Sequence, residues 1–191
     1  MITVNDIVAA SHLFVAQHLK TGHTAIDATA GNGNDALFLA GLVGESGTVY
    51  AFDIQQSALD KTKALLEQNN LAGRVHLHLC DHKHIPNVIP GPVQAIVFNL
   101  GYLPGGDKSL TTSAENSLVA LIECLRLLDV GGVISIVTYS GHPGGAEEEE
   151  LIANWCHSLN PKQFSATSLY LVNRPNNPPK LWLIKKYRNG R

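Results

Sequence analysis

The chain has 191 residues, of which 45% are hydrophobic and 16% are charged, a composition that is ordinary for a globular protein. Its formal net charge of −2 argues against a protein that relies on non-specific nucleic-acid binding, and no apolar run reaches the roughly 18 residues needed to cross a bilayer. Its three cysteines are odd in number and far apart, and the N-terminus does not resemble a signal peptide. We therefore expect one domain over residues 1–191 and a cytoplasmic location.

Strands and helices alternate along most of the chain. The predicted helices cover residues 4–19, 34–43, 57–69, 112–128 and 147–158, and the predicted strands cover 24–29, 47–53, 74–80, 93–99, 133–139, 164–172 and 180–187. This alternation predicts a doubly wound, mostly parallel seven-stranded α/β sheet. No helix fits between the last two strands, so they must pair as an antiparallel hairpin. A mainly parallel sheet with a C-terminal hairpin is typical of class I methyltransferases, which are Rossmann-like.

Residues that cap helix ends predict where several helices begin and stop. Three pairs stand at capping-box spacing and Gly73 stands after the third helix; the pairs are Thr3 with Asp6, Ser57 with Asp60, and Thr112 with Glu115. The acidic run Glu147–Glu150 falls at the start of its helix, where the helix dipole favours negative charge. We interpret these four glutamates as dipole partners.

A glycine-rich turn follows the first predicted strand, in the sequence Asp27-Ala-Thr-Ala-Gly-Asn-Gly-Asn-Asp35. Glycines at such a turn allow a ligand to approach the backbone closely. Gly31-x-Gly33 with Ala36 also matches the dinucleotide fingerprint, and an acid about 20 residues further on, here Asp53, suits a ribose in either case. The loop by itself therefore leaves S-adenosylmethionine and a nicotinamide cofactor open.

Three features favour S-adenosylmethionine. Asp27 could orient the loop or meet the cationic end of this donor, Asp81-His82 follows the third strand where class I methyltransferases contact adenine, and nothing downstream resembles a hydride-transfer site. We interpret Asp35 as a helix-dipole partner and not as a ligand. The predicted cofactor-binding residues are Asp27, Gly31, Asn32, Gly33, Asn34, Asp53, Gln55, Asp81, His82 and Asn99.

A second turn follows the apolar fourth strand, in the sequence Asn99-Leu-Gly-Tyr-Leu-Pro-Gly-Gly-Asp107. Ligands bind at the carboxyl ends of strands in open α/β sheets, so this turn should border the methyl donor. It resembles the Asn/Asp-Pro-Pro-Tyr/Phe motif of amino methyltransferases, with Leu100-Gly101 in place of the two prolines. In that motif the Asn side chain and a neighbouring carbonyl accept hydrogen bonds from an amine. Asn99 and Tyr102 are accordingly predicted catalytic residues, while a turn that only packs a tyrosine is the alternative.

Histidines and cysteines alternate along the third predicted strand and after it, at positions 76, 78, 80, 82 and 84. Imidazoles and a thiolate can bind zinc. Residues two apart on a strand rarely converge on one tetrahedral ion, so we expect no metal. His142 differs, because it lies on a glycine-rich loop at the carboxyl end of the fifth strand. A functional role and a structural role are both open for it.

Taken together, four motifs resemble those of one family, the small class I methyltransferases labelled rRNA methylases, which are related to the bacterial tRNA 5-(aminomethyl)-2-thiouridine methyltransferases. The first two are the turns at Asp27–Asp35 and Asn99–Asp107. The others are Tyr139-x-Gly-His-Pro-Gly-Gly145, followed by glutamates, and Asn176-Asn-Pro-Pro179. The second and third motifs are specific and the first is widespread. The resemblance covers essentially the whole chain.

This resemblance implies an S-adenosylmethionine-dependent N-methyltransferase. Its substrate would be the aminomethyl group of 5-aminomethyl-2-thiouridine at the wobble position, in the anticodon loop of tRNA. The amine attacks the donor methyl directly and S-adenosylhomocysteine leaves. Asp107 and His142 are candidate proton acceptors, and Tyr102 could stack on a splayed-out base.

Other functions and partners stay open at this point. The same donor site suits an rRNA, protein or small-molecule amine methyltransferase, and a non-catalytic adenosyl-binding module would keep only the glycine loop. We hold a homodimer as a possible assembly. A basic cluster near the C-terminus suggests a phosphate-binding strip for tRNA, with a solvated tail as the alternative; it comprises Lys180, Lys185, Lys186, Arg188 and Arg191.

Overall fold

The computed structural model describes residues 6–89, 91–101, 112–175 and 177–188 of the chain. The strands in these residues are β1 (Thr24–Asp27), β2 (Thr48–Asp53), β3 (Val75–Leu79), β4 (Val93–Asn99), β5 (Leu128–Thr138), β6 (Phe164–Tyr170) and β7 (Lys180–Lys186). The α-helices are α1 (Ile7–Ala16), α2 (Asn34–Val43), α3 (Gln56–Gln68), α4 (Ile85–Val88), α5 (Ala114–Leu127) and α6 (Gly145–Ser158). No helix in the described part of the chain is long and apolar enough to cross a membrane.

The seven strands form one sheet in the order β3-β2-β1-β4-β5-β7-β6. The chain lays β1, β2 and β3 outward in one direction and then places β4 on the other side of β1. Every pair is parallel except those of β7, which is antiparallel to both β5 and β6. The predicted sheet is therefore confirmed, and its winding reverses between β1 and β4, where open α/β sheets bind ligands.

Both faces of the central strands are buried, which explains why these strands are apolar without interruption. In β4, Ile96 and Phe98 pack on the face covered by α4, α5 and α6, whereas Ala95 and Val97 pack on the face covered by α1, α2 and α3. All four side chains are fully buried. The core thus holds the carboxyl ends of β1 and β4 in fixed positions.

Several predicted helix starts are wrong, because a different residue caps the helix or no side chain caps it at all. Asp6 itself caps α1, since its carboxylate accepts the Ala9 N–H at 2.7 Å. Ser57 lies inside α3, which follows Gln55 without a side-chain cap. Ser113 caps α5, while the Thr112 hydroxyl donates to Glu148 at 2.9 Å instead. Thr3 lies outside the described residues.

The C-terminal end of α3 and the start of β5 also differ from the prediction. After α3 the chain turns through Asn70, which has a φ of 58°, and Gly73 falls within a short 3-10 helix instead. The fifth strand begins at Leu128, where it already pairs with Val93, and runs through Gly131 and Gly132, which precede the predicted start at residue 133. A Cβ on Gly132 would lie 2.9 Å from a Leu128 methyl carbon, so a glycine fits this irregular stretch of strand.

Candidate active site

A cavity of about 750 Å³ opens at the carboxyl ends of the parallel strands. Nine of the residues predicted for the site line it: Gly31, Asn32, Asn34, Asp53, Gln55, Asp81, His82, Asn99 and His142. Asp27 and Gly33 are not part of its wall. Tyr102 and Asp107 lie outside the described residues. The fold therefore brings the turns after β1 and β4 together with the carboxyl ends of β2, β3 and β5.

Asp53 connects the end of β2 to the glycine loop after β1. One of its oxygens accepts the Gly31 N–H at 2.9 Å and the other accepts the Gln55 N–H at 2.8 Å. A carboxylate has about four acceptor positions, so two remain for the hydroxyl groups of a ligand. Gly31 has a φ of 53° and exposes its backbone to the cavity without a side chain. The Asp53 carboxylate and the bare Gly31 backbone fit the ribose and the methionine part of an adenosyl donor.

The second glycine of the loop has a different task. Gly33 has a φ of 85°, and a Cβ there would lie 2.8 Å from Thr62 Cα in α3. The Thr62 hydroxyl in turn donates to the Gly31 carbonyl at 3.3 Å. Gly33 therefore allows the loop and α3 to pack closely, and this contact holds the backbone of Gly31 in place.

Asp27 is buried behind the glycine loop. Burial, with a further contribution from Asp35, raises the pKa of its carboxyl group well above the ordinary value, and Asp53 adds to this effect. One carboxyl oxygen accepts the Thr29 N–H at 3.2 Å, and the other has no hydrogen-bond partner among the described residues. This position favours support of the loop, which was one of the two roles that we predicted for Asp27.

Asp81 and His82 stand where the third strand ends, as predicted. Asp81 accepts the Lys83 N–H at 2.9 Å with one oxygen and the side-chain amide of Asn116 at 3.0 Å with the other. His82 is buried with its ring edge-on to Phe98, and burial lowers the pKa of its imidazole. Both side chains therefore form a rigid part of the cavity wall.

Asn99 is held at its backbone and at one end of its amide. Its N–H donates to the Thr29 hydroxyl at 2.7 Å, and its side-chain Nδ2 donates to the Asp35 carboxylate. The other end, Oδ1, is buried and has no hydrogen-bond partner among the described residues. Because a buried acceptor without a donor is costly, this oxygen is available for a donor from a ligand.

The contact of Asn99 with Asp35 was not predicted, because Asp35 was interpreted only as a dipole partner of α2. Its carboxylate also lies 2.5 Å from Nε2 of His12, a residue of α1 that we had not considered. The sequence carries a weak signal for this network in the acid at the start of an otherwise apolar helix. Nothing in the sequence shows that α1 packs against that helix start.

The turn after β4 departs from the two-proline motif for a structural reason. The Leu100 N–H donates to the Val137 carbonyl at 2.9 Å, and a proline has no such hydrogen. Gly101 has a φ of 143°, which the proline ring forbids. Its carbonyl accepts the Thr112 N–H at 3.0 Å, which joins the end of β4 to the residues that precede α5. This backbone path therefore excludes proline at both positions and favours glycine at position 101.

His142 lies on the rim of the cavity, as expected, and its Nδ1 is 3.0 Å from the Pro143 carbonyl. A Cβ on Gly145 would lie 2.3 Å from the Tyr139 carbonyl and 2.9 Å from His142 Nε2. The glycines after His142 thus let α6 begin directly against this loop. Burial raises the pKa of the Tyr139 hydroxyl, with a further contribution from Asp35.

The acidic run in α6 does more than interact with the helix dipole, and here our interpretation was incomplete. Glu148 is 1% exposed and accepts hydrogen bonds from Ser117 at 2.6 Å and Thr112 at 2.9 Å. Glu149 accepts from Lys180 Nζ at 2.6 Å. These contacts tie α6 to the start of α5 and to β7.

The histidines of β3 have aromatic partners on the neighbouring strand. Tyr50 stacks on His76 and His78 at centroid distances of 5.3 and 5.9 Å, and Phe52 stacks on His78 at 5.0 Å. Burial lowers the pKa of His78. Within the residues that the structure describes, no group of three His, Cys, Asp or Glu side chains is placed to hold a metal ion.

The basic residues near the C-terminus do not form one strip, so that hypothesis is wrong as stated. The Lys186 side chain is buried and donates to the Leu128 carbonyl at 2.6 Å, and Lys180 is paired with Glu149. Lys185 points to the opposite face of β7, since side chains alternate along a strand. Arg191 lies outside the described residues.

Comparison with known proteins agrees with this geometry. A model of the family described as "Putative rRNA methylase" matches residues 49–185. A structure from Clostridium thermocellum, described as a "putative rRNA-methylase", is 41% identical with a TM-score of 0.93 over 96% of this chain and 99% of that one. A "putative methyltransferase" from Streptococcus mutans, in complex with S-adenosylhomocysteine, is 37% identical with a TM-score of 0.88 over 96% of this chain and 99% of that one.

A curated relative has a more specific name. The chloroplastic "tRNA (mnm(5)s(2)U34)-methyltransferase" of Arabidopsis thaliana is 38% identical over a match 186 residues long, gaps included, that covers 92% of this chain and 68% of that protein. The fold, the cavity and these relatives define a class I methyltransferase that depends on S-adenosylmethionine. The chain belongs to the rRNA methylase family. The family and the donor expected from the motifs are thereby confirmed.

Proposed function

We propose that this methyltransferase methylates the primary amine of 5-aminomethyl-2-thiouridine at the wobble position of tRNA. The observation that carries the proposal is the buried Oδ1 of Asn99, which lacks a donor among the described residues and belongs to a cavity-lining side chain. An amine supplies such a donor while its lone pair stays free to attack. The name of the Arabidopsis relative supports a tRNA substrate for this family member.

The donor is held, in this proposal, by the loop after β1 and by the ends of β2 and β3. Gly31 offers its bare backbone, Asp53 offers two remaining acceptor positions for the ribose, and Asp81 with His82 borders the adenine. Asn32, Asn34 and Gln55 complete the wall. The bound donor supplies an electrophilic methyl group on a positively charged sulfur. Asp27 supports the loop from behind.

The acceptor amine is oriented by Asn99 at the edge of the same cavity. An N–H of the substrate amine donates to Oδ1 of Asn99. This hydrogen bond aims the nitrogen lone pair away from Asn99 and toward the methyl group. The N–C bond forms as the S–C bond breaks, and the nitrogen then releases a proton. Holding the reactants in line supplies much of the rate in such a displacement.

Two further roles in this proposal come from the sequence. A wobble nucleotide lies in the anticodon loop, where a base can be splayed out and stacked on an aromatic ring, and Tyr102 is the proposed ring. His142 and Asp107 are the proposed proton acceptors, and His142 lies on the cavity rim. A primary amine is mainly protonated near neutral pH, so an acceptor must remove one proton before attack.

Nucleoside mass analysis of tRNA tests the substrate. Bulk tRNA from a strain that lacks this protein should accumulate the aminomethyl nucleoside, and purified protein with donor should convert it to the methylaminomethyl form. An unchanged tRNA profile, with methyl incorporated into rRNA, protein or small amines instead, would overturn the tRNA proposal while leaving the methyltransferase class intact.

A further inference from the structure

Three side chains from three different elements meet beside the cavity. Asp35 of α2 stands between Asn99 of β4 and His12 of α1: one carboxylate oxygen accepts from the Asn99 amide, and the other lies 2.5 Å from His12 Nε2. Asp35 is only 6% exposed. The imidazole of His12 stacks on Phe38 with a centroid distance of 3.8 Å and an angle of 4° between the rings. The contact with Phe38 therefore fixes the plane of the imidazole.

The chemistry of these groups decides which end of the Asn99 amide faces Asp35. An asparagine amide has a donor end and an acceptor end of nearly the same shape, so packing alone does not select between its two orientations. An ionised carboxylate can only accept. A carboxylate beside Asn99 therefore requires the NH₂ group to face it and leaves Oδ1 on the opposite side. His12 Nε2 must carry a hydrogen to donate to the other oxygen.

We propose that Asp35 and His12 form a positioning pair that sets the orientation of the Asn99 amide for catalysis. The pair presents Oδ1 as the acceptor for the substrate amine, and this statement rests on the proposed function. Donation from the Asn99 NH₂ group to the Asp35 carboxylate also makes Oδ1 a better acceptor, and the bond from His12 holds that carboxylate in place. Neither residue needs to touch the reacting atoms.

The isosteric variant Asp35→Asn tests whether the carboxylate sets the orientation of the Asn99 amide, because it leaves the shape of the side chain at position 35 unchanged. The new amide can face Asn99 with either end, so both orientations of Asn99 become allowed. The single-turnover rate at saturating donor and tRNA should fall on the order of 10-fold or more, as expected for a misplaced reactant. Donor affinity and the KM for tRNA should stay within about twofold, since no binding contact is lost. A purely structural role would instead change stability and binding together.

A reciprocal exchange provides the rescue. The double variant Asp35→Asn with Asn99→Asp restores a donor facing a carboxylate, with the polarity reversed, and again leaves a fixed acceptor at position 99. It should react roughly fivefold or more faster than either single variant, each at its own pH optimum. The matched control is Asp129→Asn, a half-buried carboxylate at the opposite end of the sheet, which should leave the rate unchanged. A wild-type rate in Asp35→Asn, or a double variant no faster than the single variants, would overturn the proposal that Asp35 and His12 position Asn99.

Nuclear magnetic resonance of the wild-type protein tests the pair without any turnover. Long-range ¹H–¹⁵N correlation should show a proton on Nε2 of His12 near neutral pH, and the Asn99 NH₂ group should show one proton shifted far downfield by its carboxylate partner. An unprotonated Nε2 or an unshifted amide would overturn the proposal. Absence of methyl transfer to tRNA by the wild type would instead refute the proposed function, and these spectra would still decide the orientation.

Discussion

The carboxylate of Asp53 accepts the backbone N–H of Gly31 at 2.9 Å, across the gap between the ends of β2 and β1. This bond sets the shape of the glycine loop through a residue that also lines the cavity. The second oxygen is oriented by the Gln55 N–H at 2.8 Å. A single side chain therefore shapes the glycine loop and, in the proposed donor site, keeps acceptor positions for a ligand.

Removal of this carboxylate should weaken donor binding. Asp53→Ala should lower the affinity for S-adenosylmethionine and S-adenosylhomocysteine by about 1–3 kcal/mol, the scale of lost charge-assisted hydrogen bonds. Titration calorimetry measures both ligands. Asp60→Ala is the control, since Asp60 is exposed on α3 and accepts a hydrogen bond from Gln56. Equal affinities in Asp53→Ala and the wild type would remove Asp53 from the donor site.

Loss of the Asn99 side chain should affect the rate more than binding. Asn99→Ala should slow single-turnover methyl transfer on the order of 100-fold, because the amine loses the acceptor that aims its lone pair. Donor affinity should change little. Asn69→Ala, at the exposed end of α3, is the matched control. If Asn99→Ala reacts at the wild-type rate with donor and tRNA saturating, the orienting role is wrong and the turn is only scaffold.

The turn after β4 should not accept the residues of the two-proline motif. Gly101→Ala should cost about 1–3 kcal/mol of unfolding free energy through backbone strain, since the nearest atom to the new Cβ, at 3.5 Å, is an ordinary contact. Leu100→Pro should cost more, about 3 kcal/mol or above, because the buried Val137 carbonyl loses its donor and the fully buried Leu100 side chain is removed from the core. Urea unfolding measures both variants. Gly73→Ala has open space and should be nearly neutral, and equal losses in all three variants would contradict this explanation.

The sequence predicted the strands and the cavity better than it predicted the caps. The bounds of β4 and α2 were correct, because a strand buried on both faces is apolar throughout and Gly33 directly precedes Asn34. Helix starts at Ser57 and Thr112 were wrong because a capping box is a local pattern, and a distant acceptor such as Glu148 can take the hydroxyl. The contact between His12 and Asp35 depends on how α1 packs, which no local pattern encodes.

The buried carboxylate of Glu148 should matter for stability, whereas the exposed Glu150 at the end of the same acidic run should not. Glu148→Ala leaves the hydroxyl groups of Ser117 and Thr112 without their acceptor and should cost about 1–3 kcal/mol of unfolding free energy. Glu150→Ala removes an exposed side chain and should cost about 0.5 kcal/mol or less. Chemical unfolding compares the two. Equal, small losses of unfolding free energy in the two variants would indicate that Glu148 acts only as a helix-dipole partner.

Asp27 should make the protein less stable as the pH rises. Its carboxyl pKa is raised in the folded protein, chiefly by burial and then by Asp35, above the ordinary value of 3.8. Between these two pKa values the folded state binds more protons than the unfolded chain, so stability falls with increasing pH through that window and stays lower above it. Asp27→Asn keeps the shape and cannot ionise, so it should remove this fall.

Urea unfolding of the wild type and of Asp27→Asn across the range from about pH 4 to pH 8 measures the difference. The variant should be the more stable of the two at the upper end, and the gap should narrow toward the lower end, which lies close to the ordinary carboxyl pKa of 3.8. Asp129→Asn serves as the control, since it makes the same chemical change at a carboxylate that accepts from Gln94 and Val130, away from the glycine loop. A gap between Asp27→Asn and the wild type that is constant with pH would show that Asp27 does not change its protonation on folding. In that case the wild type holds a buried ionised carboxylate behind the glycine loop, and the bond from the Thr29 N–H must offset its burial.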